Sequence, residues 1–152
     1  MVPTLTDRVA EAVASVDDPE LPGVSIVDLG LLERLDVDEV SGRVAVGLIP
    51  TFSGCPALAA IRSDVGAAVR AVEGVAGVDV EFLAAPVWTV DRVTPAGRRR
   101  LGDGLGVAVA VGPTARCPRC DAPTRQESLF GPTRCRAVHR CTGCRELVEV
   151  MR

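Results

Sequence analysis

Val44-Ala45-Val46-Gly47-Leu48-Ile49-Pro50-Thr51-Phe52-Ser53-Gly54-Cys55-Pro56-Ala57-Leu58 passes from one kind of structure into another. Val44, Val46 and Leu48 alternate with Ala45 and Gly47, the period of a half-buried strand. Pro50 to Pro56, with two prolines and a glycine, reads as a tight loop. From about Ala57 to Val72 the apolar residues Leu58, Ile61, Val65, Val69 and Val72 recur at helical spacing and form one stripe. Pro56 suits a first helical turn, where its missing N–H costs nothing. Cys55 therefore falls near the N-cap.

The pattern extends outward from this strand–loop–helix unit. Leu35 and Val37 alternate with Arg34, Asp36 and Asp38, and Ser41-Gly42 separates this run from Val44, which predicts a β-hairpin. Leu5, Val9, Ala12, Val13 and Val16 predict a helix over Thr4–Val16. Asp17-Asp18-Pro19-Glu20-Leu21-Pro22-Gly23 stops it. Val78, Val80 and Phe82 alternate with Asp79 and Glu81 in a further strand. Thr94–Leu101 reads as a short arginine-rich helix with Thr94 as N-cap and Pro95 at its first position. The expected organisation is a domain over 1–103, a Gly/Ala/Val-rich linker over 104–116 and a cysteine-rich unit over 117–152. No internal repeat is apparent.

Composition narrows the function. Hydrophobic residues make up 47% and charged residues 24%, so the chain can build a core and is not disordered throughout. All 17 basic residues are arginine. Without lysine there is no Schiff-base chemistry and no phosphate-loop lysine. Aromatics are 3%, too few for a base-stacking surface, and the net charge of −3 does not recruit nucleic acid or an acidic membrane. The charge is uneven: residues 1–100 carry 15 acids and 9 arginines, and residues 101–152 carry 5 acids and 8 arginines. The two parts are expected to have different tasks. No basic region followed by an apolar block begins the sequence, and no apolar run is long enough to span a bilayer, which predicts a cytoplasmic protein without membrane association.

In that compartment six cysteines point to metal or thiol chemistry rather than disulfides. Five of them fall in the last 36 residues. Cys117-Pro118-Arg119-Cys120 and Cys141-Thr142-Gly143-Cys144 are two Cys-x-x-Cys knuckles. A two-residue spacing lets one turn aim both sulfurs at one ion, and two such turns complete a tetrahedral four-sulfur site. Three strand-like runs, Thr124–Leu129, Ala137–Arg140 and Glu146–Val150, lie around them. So short a unit needs the metal for folding, on the order of 10 kcal/mol. Four thiolates close the coordination shell, which favours structural zinc. Cys135 and His139 are candidate extra ligands, and the thiol count also admits an iron–sulfur cluster.

Cys55 is the second candidate. A thiol near a helix N-terminus meets unpaired N–H groups that favour thiolate, the form needed for metal holding, cluster transfer or nucleophilic attack. The bland alternative is a small buried hydrophobe. Asp17, Asp18, Glu20 and Asp28 form an acidic group that reads either as acid/base chemistry or as loop solvation. Arg98-Arg99-Arg100 reads either as an anion patch or as a solvated helix face. The single histidine leaves no Ser/His/Asp triad.

Asp18-Pro19-Glu20-Leu21-Pro22, Ser25-Ile26-Val27-Asp28-Leu29-Gly30 and Pro50–Pro56, continued by Ala57-Leu58-Ala59-Ala60-Ile61, resemble the iron–sulfur assembly domain of the SufT and MIP-type family. With Ala85-Pro86-Val87-Trp88-Thr89 and the segment Phe130-Gly131-Pro132-Thr133-Arg134-Cys135, residues 17–152 resemble the PaaD-type accessory subunits that accompany the phenylacetyl-CoA epoxidase of phenylacetate breakdown. The resemblance implies an α/β (α+β) core, a small mixed sheet with packed helices, beside the zinc-ribbon-like unit. It implies a non-catalytic role in assembling the iron–sulfur or di-iron centre of that oxygenase. The partners would be its oxygenase and reductase subunits or a second copy of the chain. The family's core cysteine falls on Cys55, its acidic motif on Asp18, Glu20 and Asp28, and its C-terminal cysteines on Cys117, Cys120, Cys135, Cys141 and Cys144. His139 stands where the family commonly has an aromatic residue. Two other roles are compatible with the residues: a structural adaptor with a purely structural zinc, and a thiol enzyme using Cys55.

Overall fold

The computed structural model describes residues 1–110 and 114–152. Contacts divide the chain into two units, Met1–Trp88 and Thr89–Arg152.

The first unit begins with helix α1, Leu5–Ala14. Its start is fixed by a capping box: Thr4 Oγ1 accepts from Asp7 N at 3.1 Å, and the Asp7 carboxylate accepts from Thr4 N at 2.9 Å. Leu5, Val9 and Val13 form its buried stripe. Two short strands follow, β1 (Asp17–Asp18) and β2 (Leu21–Ser25), paired antiparallel. The sequence shows only a helix stop here; Leu21 and Val24 are in fact buried strand residues.

Strands β3 (Leu32–Val37) and β4 (Arg43–Leu48) form the expected hairpin. Its turn is held by Asp38, whose carboxylate accepts from Val40 N and Ser41 N at 2.9 and 3.1 Å. Gly42 occupies φ +70°, and a Cβ there would meet Gly74 O at 2.3 Å. Glycine is therefore required at this position. Helix α2 (Leu58–Arg70) then returns the chain to β5 (Gly77–Phe82), which pairs parallel to β4. The result is a mixed sheet in the order β3-β4-β5. Its alternation buries Val44, Val46 and Leu48 with Ile61, Val65 and Val69 of α2. Each such side chain contributes roughly 1.5–3 kcal/mol by leaving water.

The second unit contains a 3₁₀ turn at Val90–Arg92 and helix α3, Pro95–Arg99. As expected, Thr94 caps α3, accepting from Gly97 N at 3.0 Å, and Pro95 opens it. The chain then widens into a π-helical turn, Arg100–Gly104, rather than ending at Leu101. The stretch 104–116, expected as a linker, instead carries β6 (Val107–Val109), which pairs parallel to the last strand. Ala108 and Ala115 are buried in the core; small apolar residues that read as a flexible joiner here fill space under a sheet. Residues 111–113 of that expected linker lie outside the described residues. Strands β7 (Thr124–Ser128), β8 (Arg136–Cys141) and β9 (Leu147–Met151) match the three expected runs closely. They complete a four-stranded sheet in the order β6-β9-β8-β7. Among the described residues no helix is long and apolar enough to cross a membrane.

Candidate functional site

In the second unit the two Cys-x-x-Cys knuckles converge. Cys117, Cys120, Cys141 and Cys144 place their sulfurs within 4.8 Å of one another. Cys117 Sγ lies 3.8 Å from Cys144 Sγ, and Cys120 Sγ lies 3.3 Å from Cys141 Sγ. A disulfide would need about 2.05 Å. Thiolates about 2.3 Å from a central ion at tetrahedral corners lie about 3.8 Å apart, so these four sulfurs fit a single tetrahedral metal ion.

The backbone explains the convergence, because the knuckles repeat one conformation. Cys117 N donates to Ala122 O and Cys141 N donates to Glu146 O, both at 2.9 Å. The residue after each second cysteine, Asp121 and Arg145, takes a positive φ of 61° and 68°. That conformation reverses the chain and is costly for arginine. It is offset locally, since Arg145 O accepts from Arg140 Nη1 at 3.0 Å. Gly143 N and Cys144 N point at Cys141 Sγ from 3.3 and 3.4 Å. Burial opposes ionisation of Cys141, yet hydrogen bonds from Cys120 and from these two N–H groups outweigh it and bring the thiol down to about 6. At Cys144 the backbone hydrogen bond with Glu146 favours thiolate, but burial and the neighbouring thiols push the group up to about 11. Of this pair Cys141 ionises readily and Cys144 resists, and a bound cation would favour thiolate at both.

The other candidate ligands lie elsewhere. His139 is buried, and its Nδ1 lies 2.8 Å from Thr124 Oγ1. The Thr124 hydroxyl donates to Ala115 O at 2.9 Å, so Nδ1 is the donor of that pair. Burial lowers the His139 pKa and favours the neutral ring. Cys135 Sγ lies 3.2 Å from Thr133 Oγ1. The structure brings neither residue into the four-sulfur group.

In the first unit three loops meet where β4 and β5 end. Leu83 N donates to Leu48 O at 2.7 Å, and Ile49 N donates to Leu31 O at 2.8 Å. The buried indole of Trp88 donates to Leu29 O at 2.7 Å. Segments 25–31, 49–57 and 83–88 are thereby tied together at the carboxyl ends of two parallel strands, where open α/β sheets commonly form binding sites. Cys55 is half-buried in the middle segment. Cys55 N donates to Phe52 O at 3.2 Å and Leu58 N donates to Cys55 O at 3.3 Å. A Cβ on Gly54 would lie 2.8 Å from the Phe52 ring, so the glycine lets that ring fold over the loop. Helix α2 starts later than expected, with Ala57 as N-cap and no side-chain cap. Pro56 therefore precedes the helix rather than opening it.

Among the acidic candidates, Asp18 accepts from Glu20 N at 2.8 Å and Asp17 accepts from Gly23 N at 3.0 Å. Asp28 N donates to Ser25 Oγ at 3.0 Å, in the segment that carries Leu29. Among the described residues the four-sulfur group is the one set of three or more metal-ligating side chains drawn together. Asp18, Glu20, Asp28 and Cys55 are not assembled into a second.

Sequence reasoning missed Gly143 as a site residue. A Cβ there would lie 2.8 Å from Ala122 Cβ and 3.2 Å from Cys120 Sγ. The clue was present, in that Gly143 is one of the two residues between a cysteine pair.

Comparison with known proteins agrees with this division. Residues 6–82 match the family described as iron–sulfur cluster assembly protein, and residues 107–152 match the PaaD zinc beta ribbon domain. The chain is 33% identical, over 96% of its length and 92% of the other's, to an Escherichia coli protein provisionally named as a subunit of 1,2-phenylacetyl-CoA epoxidase. It is 33% identical, over 67% of its length and 98% of the other's, to the Fe-S protein maturation auxiliary factor YitW of Bacillus subtilis. A Bacillus anthracis domain of unknown function, DUF59, superposes with a TM-score of 0.60 at 29% identity, covering 64% of this chain and 92% of that one.

Proposed function

The chain belongs to the iron–sulfur cluster assembly protein family, and from that premise we propose that it is an accessory factor that helps install an iron–sulfur or di-iron centre in a multicomponent oxygenase. The relatives carry both halves of this reading, one being named for an epoxidase subunit and another for Fe-S protein maturation. The client on this reading is the phenylacetyl-CoA epoxidase, with its oxygenase and reductase subunits as partners.

The observation that carries the proposal is that Cys55 is not a member of the four-sulfur group. Cys117, Cys120, Cys141 and Cys144 form one four-sulfur group, a donor set that would fill zinc's tetrahedral shell and leave no position for a substrate. Cys55 is not a member of that set and belongs to the other unit, half-buried on a loop before α2 and at the ends of two parallel strands. A single thiol supplies one ligand only, so it suits brief handling of iron or a cluster as cargo, completed by ligands of the client. Asp18, Glu20 and Asp28 lie in the same unit as Cys55, and on this reading their negative charge helps attract an incoming cation. Cys135 and His139 have no part in either task.

Co-production of the epoxidase with the wild-type chain, with Cys55→Ala, or with no such chain tests the proposal. The expected result is client with depleted iron in the second and third cases, while the Cys55→Ala protein itself stays folded. Client fully loaded with iron beside Cys55→Ala would remove Cys55 from the account. Client fully loaded without the chain would remove the proposed function.

A further inference from the structure

The four sulfurs of the second unit differ in their access to solvent. Cys117 and Cys141 are buried, whereas Cys120 and Cys144 are exposed. The close sulfur contacts join one kind to the other and cross between the knuckles. Cys120 Sγ lies 3.3 Å from Cys141 Sγ, and Cys117 Sγ lies 3.8 Å from Cys144 Sγ. Gly143 borders the first of these pairs: a Cβ there would lie 3.2 Å from Cys120 Sγ and 3.7 Å from Cys141 Sγ. Glycine puts no side chain over either sulfur at that point. The other two thiols stand outside the group, since Cys135 contacts Thr133 Oγ1 at 3.2 Å and Cys55 belongs to the first unit.

Oxidation of a cysteine follows its exposure, and a redox-sensing cysteine has a second cysteine beside it that resolves the oxidised form. Each cross-knuckle pair supplies both parts, an exposed sulfur for a small oxidant to reach and a buried sulfur in contact with it. We propose that the four-sulfur group is a peroxide-sensitive switch, in which oxidation joins Cys120 to Cys141 and Cys117 to Cys144 and releases the metal. The proposal rests on the reading of the group as a zinc site and is independent of Cys55.

The chemistry balances with peroxide as the only oxidant. Attack by the exposed thiolate on peroxide breaks the O–O bond, leaving a sulfenic acid on that sulfur and one hydroxide ion. Attack by the buried thiolate then forms the S–S bond and expels a second hydroxide. Each pair gives up two electrons to one peroxide. Two pairs consume two peroxides, yield two disulfides and four hydroxide ions, and leave no thiolate to hold the zinc. Because both bridges cross from one knuckle to the other, they take over the metal's task of holding the knuckles together. Bridges within each knuckle would leave the two turns unattached.

The test uses the zinc-loaded full chain carrying Cys55→Ala and Cys135→Ser, so that only the four sulfurs can react. Hydrogen peroxide is added stepwise and freed zinc is read with a chromogenic chelator. About two equivalents of peroxide are expected to free about one zinc per chain. Peptide mass spectrometry without reduction is expected to find Cys117 bridged to Cys144 and Cys120 bridged to Cys141. A dithiol reductant with added zinc is expected to restore the metal content and the starting circular dichroism spectrum. Zinc retained through the titration, bridges within a knuckle or between chains, or release with sulfinic acid in place of disulfide would each overturn the proposal. A chain that binds no zinc before peroxide is added would overturn the zinc reading, and the proposal with it.

Discussion

Gly143 packs directly against Cys120 across the two knuckles: a Cβ on the glycine would lie 3.2 Å from the Cys120 sulfur. The glycine's N–H also points at Cys141 Sγ, one of the hydrogen bonds that hold that thiol down to about 6. Gly143→Val would push the knuckles apart at the point where their sulfurs must meet. Zinc affinity, read by competition with a chromogenic chelator, is expected to fall by about 10–100-fold, the range found when residues supporting a metal ligand are altered. Unchanged affinity would show that the knuckles tolerate separation.

Cys117→Ser and Cys141→Ser each remove a buried member of the four-sulfur group. Binding energy at such a site is also folding energy. Limited proteolysis is expected to cut within Thr89–Arg152 in these variants while Met1–Trp88 stays protected. Loss of both units together would mean that they do not fold separately.

The Trp88 indole N–H and Leu29 O are joined at 2.7 Å and the pair is buried. Trp88→Phe keeps an aromatic ring but leaves the carbonyl without this donor. The expected loss is about 1–3 kcal/mol of unfolding free energy, the cost of a buried group left unpaired. Urea denaturation reads it, and a loss well below that range would mean that water replaces the indole.

Glu39, in the β3–β4 turn, holds the start of α1: its carboxylate accepts from Thr6 Oγ1, Thr6 N and Leu5 N. Bonds from Thr6 above all hold its pKa below the ordinary 4.5. The unfolded chain therefore takes up the proton first as the solution is acidified. The contribution is present above pH 4.5 and is lost as pH falls through the folded value. Glu39→Gln is expected to be less stable than wild type at neutral pH, with the gap closing below pH 4.5. A gap independent of pH would assign the effect to packing instead.

Much of this was legible in the sequence, for reasons that differ by region. The hairpin, α2 and β5 follow from clean periodicity, and the four-sulfur group from cysteine spacing. The segment over 17–25 was not legible, because Pro22 and Gly23 mask a two-strand ladder whose partner residues are only a few positions away. Strand β6 was hidden because Val107-Ala108-Val109 has no alternation to show; it is buried by a parallel partner, β9, far along the chain. Cys55 was easily found, but its position before the helix rather than at its cap depends on Ala57, which no capping rule selects. The knuckle geometry rests on positive φ at Asp121 and Arg145, and no turn rule places arginine there.

Metal analysis of the protein purified without oxygen tests the division of labour between Cys55 and the C-terminal cysteines most directly. The account predicts about one zinc per chain, retained in Cys55→Ala and lost in Cys117→Ser, with no iron held by the C-terminal cysteines. Iron in place of zinc, retained in Cys55→Ala and lost in Cys117→Ser, would contradict it, because the four-sulfur group would then itself be the carrier.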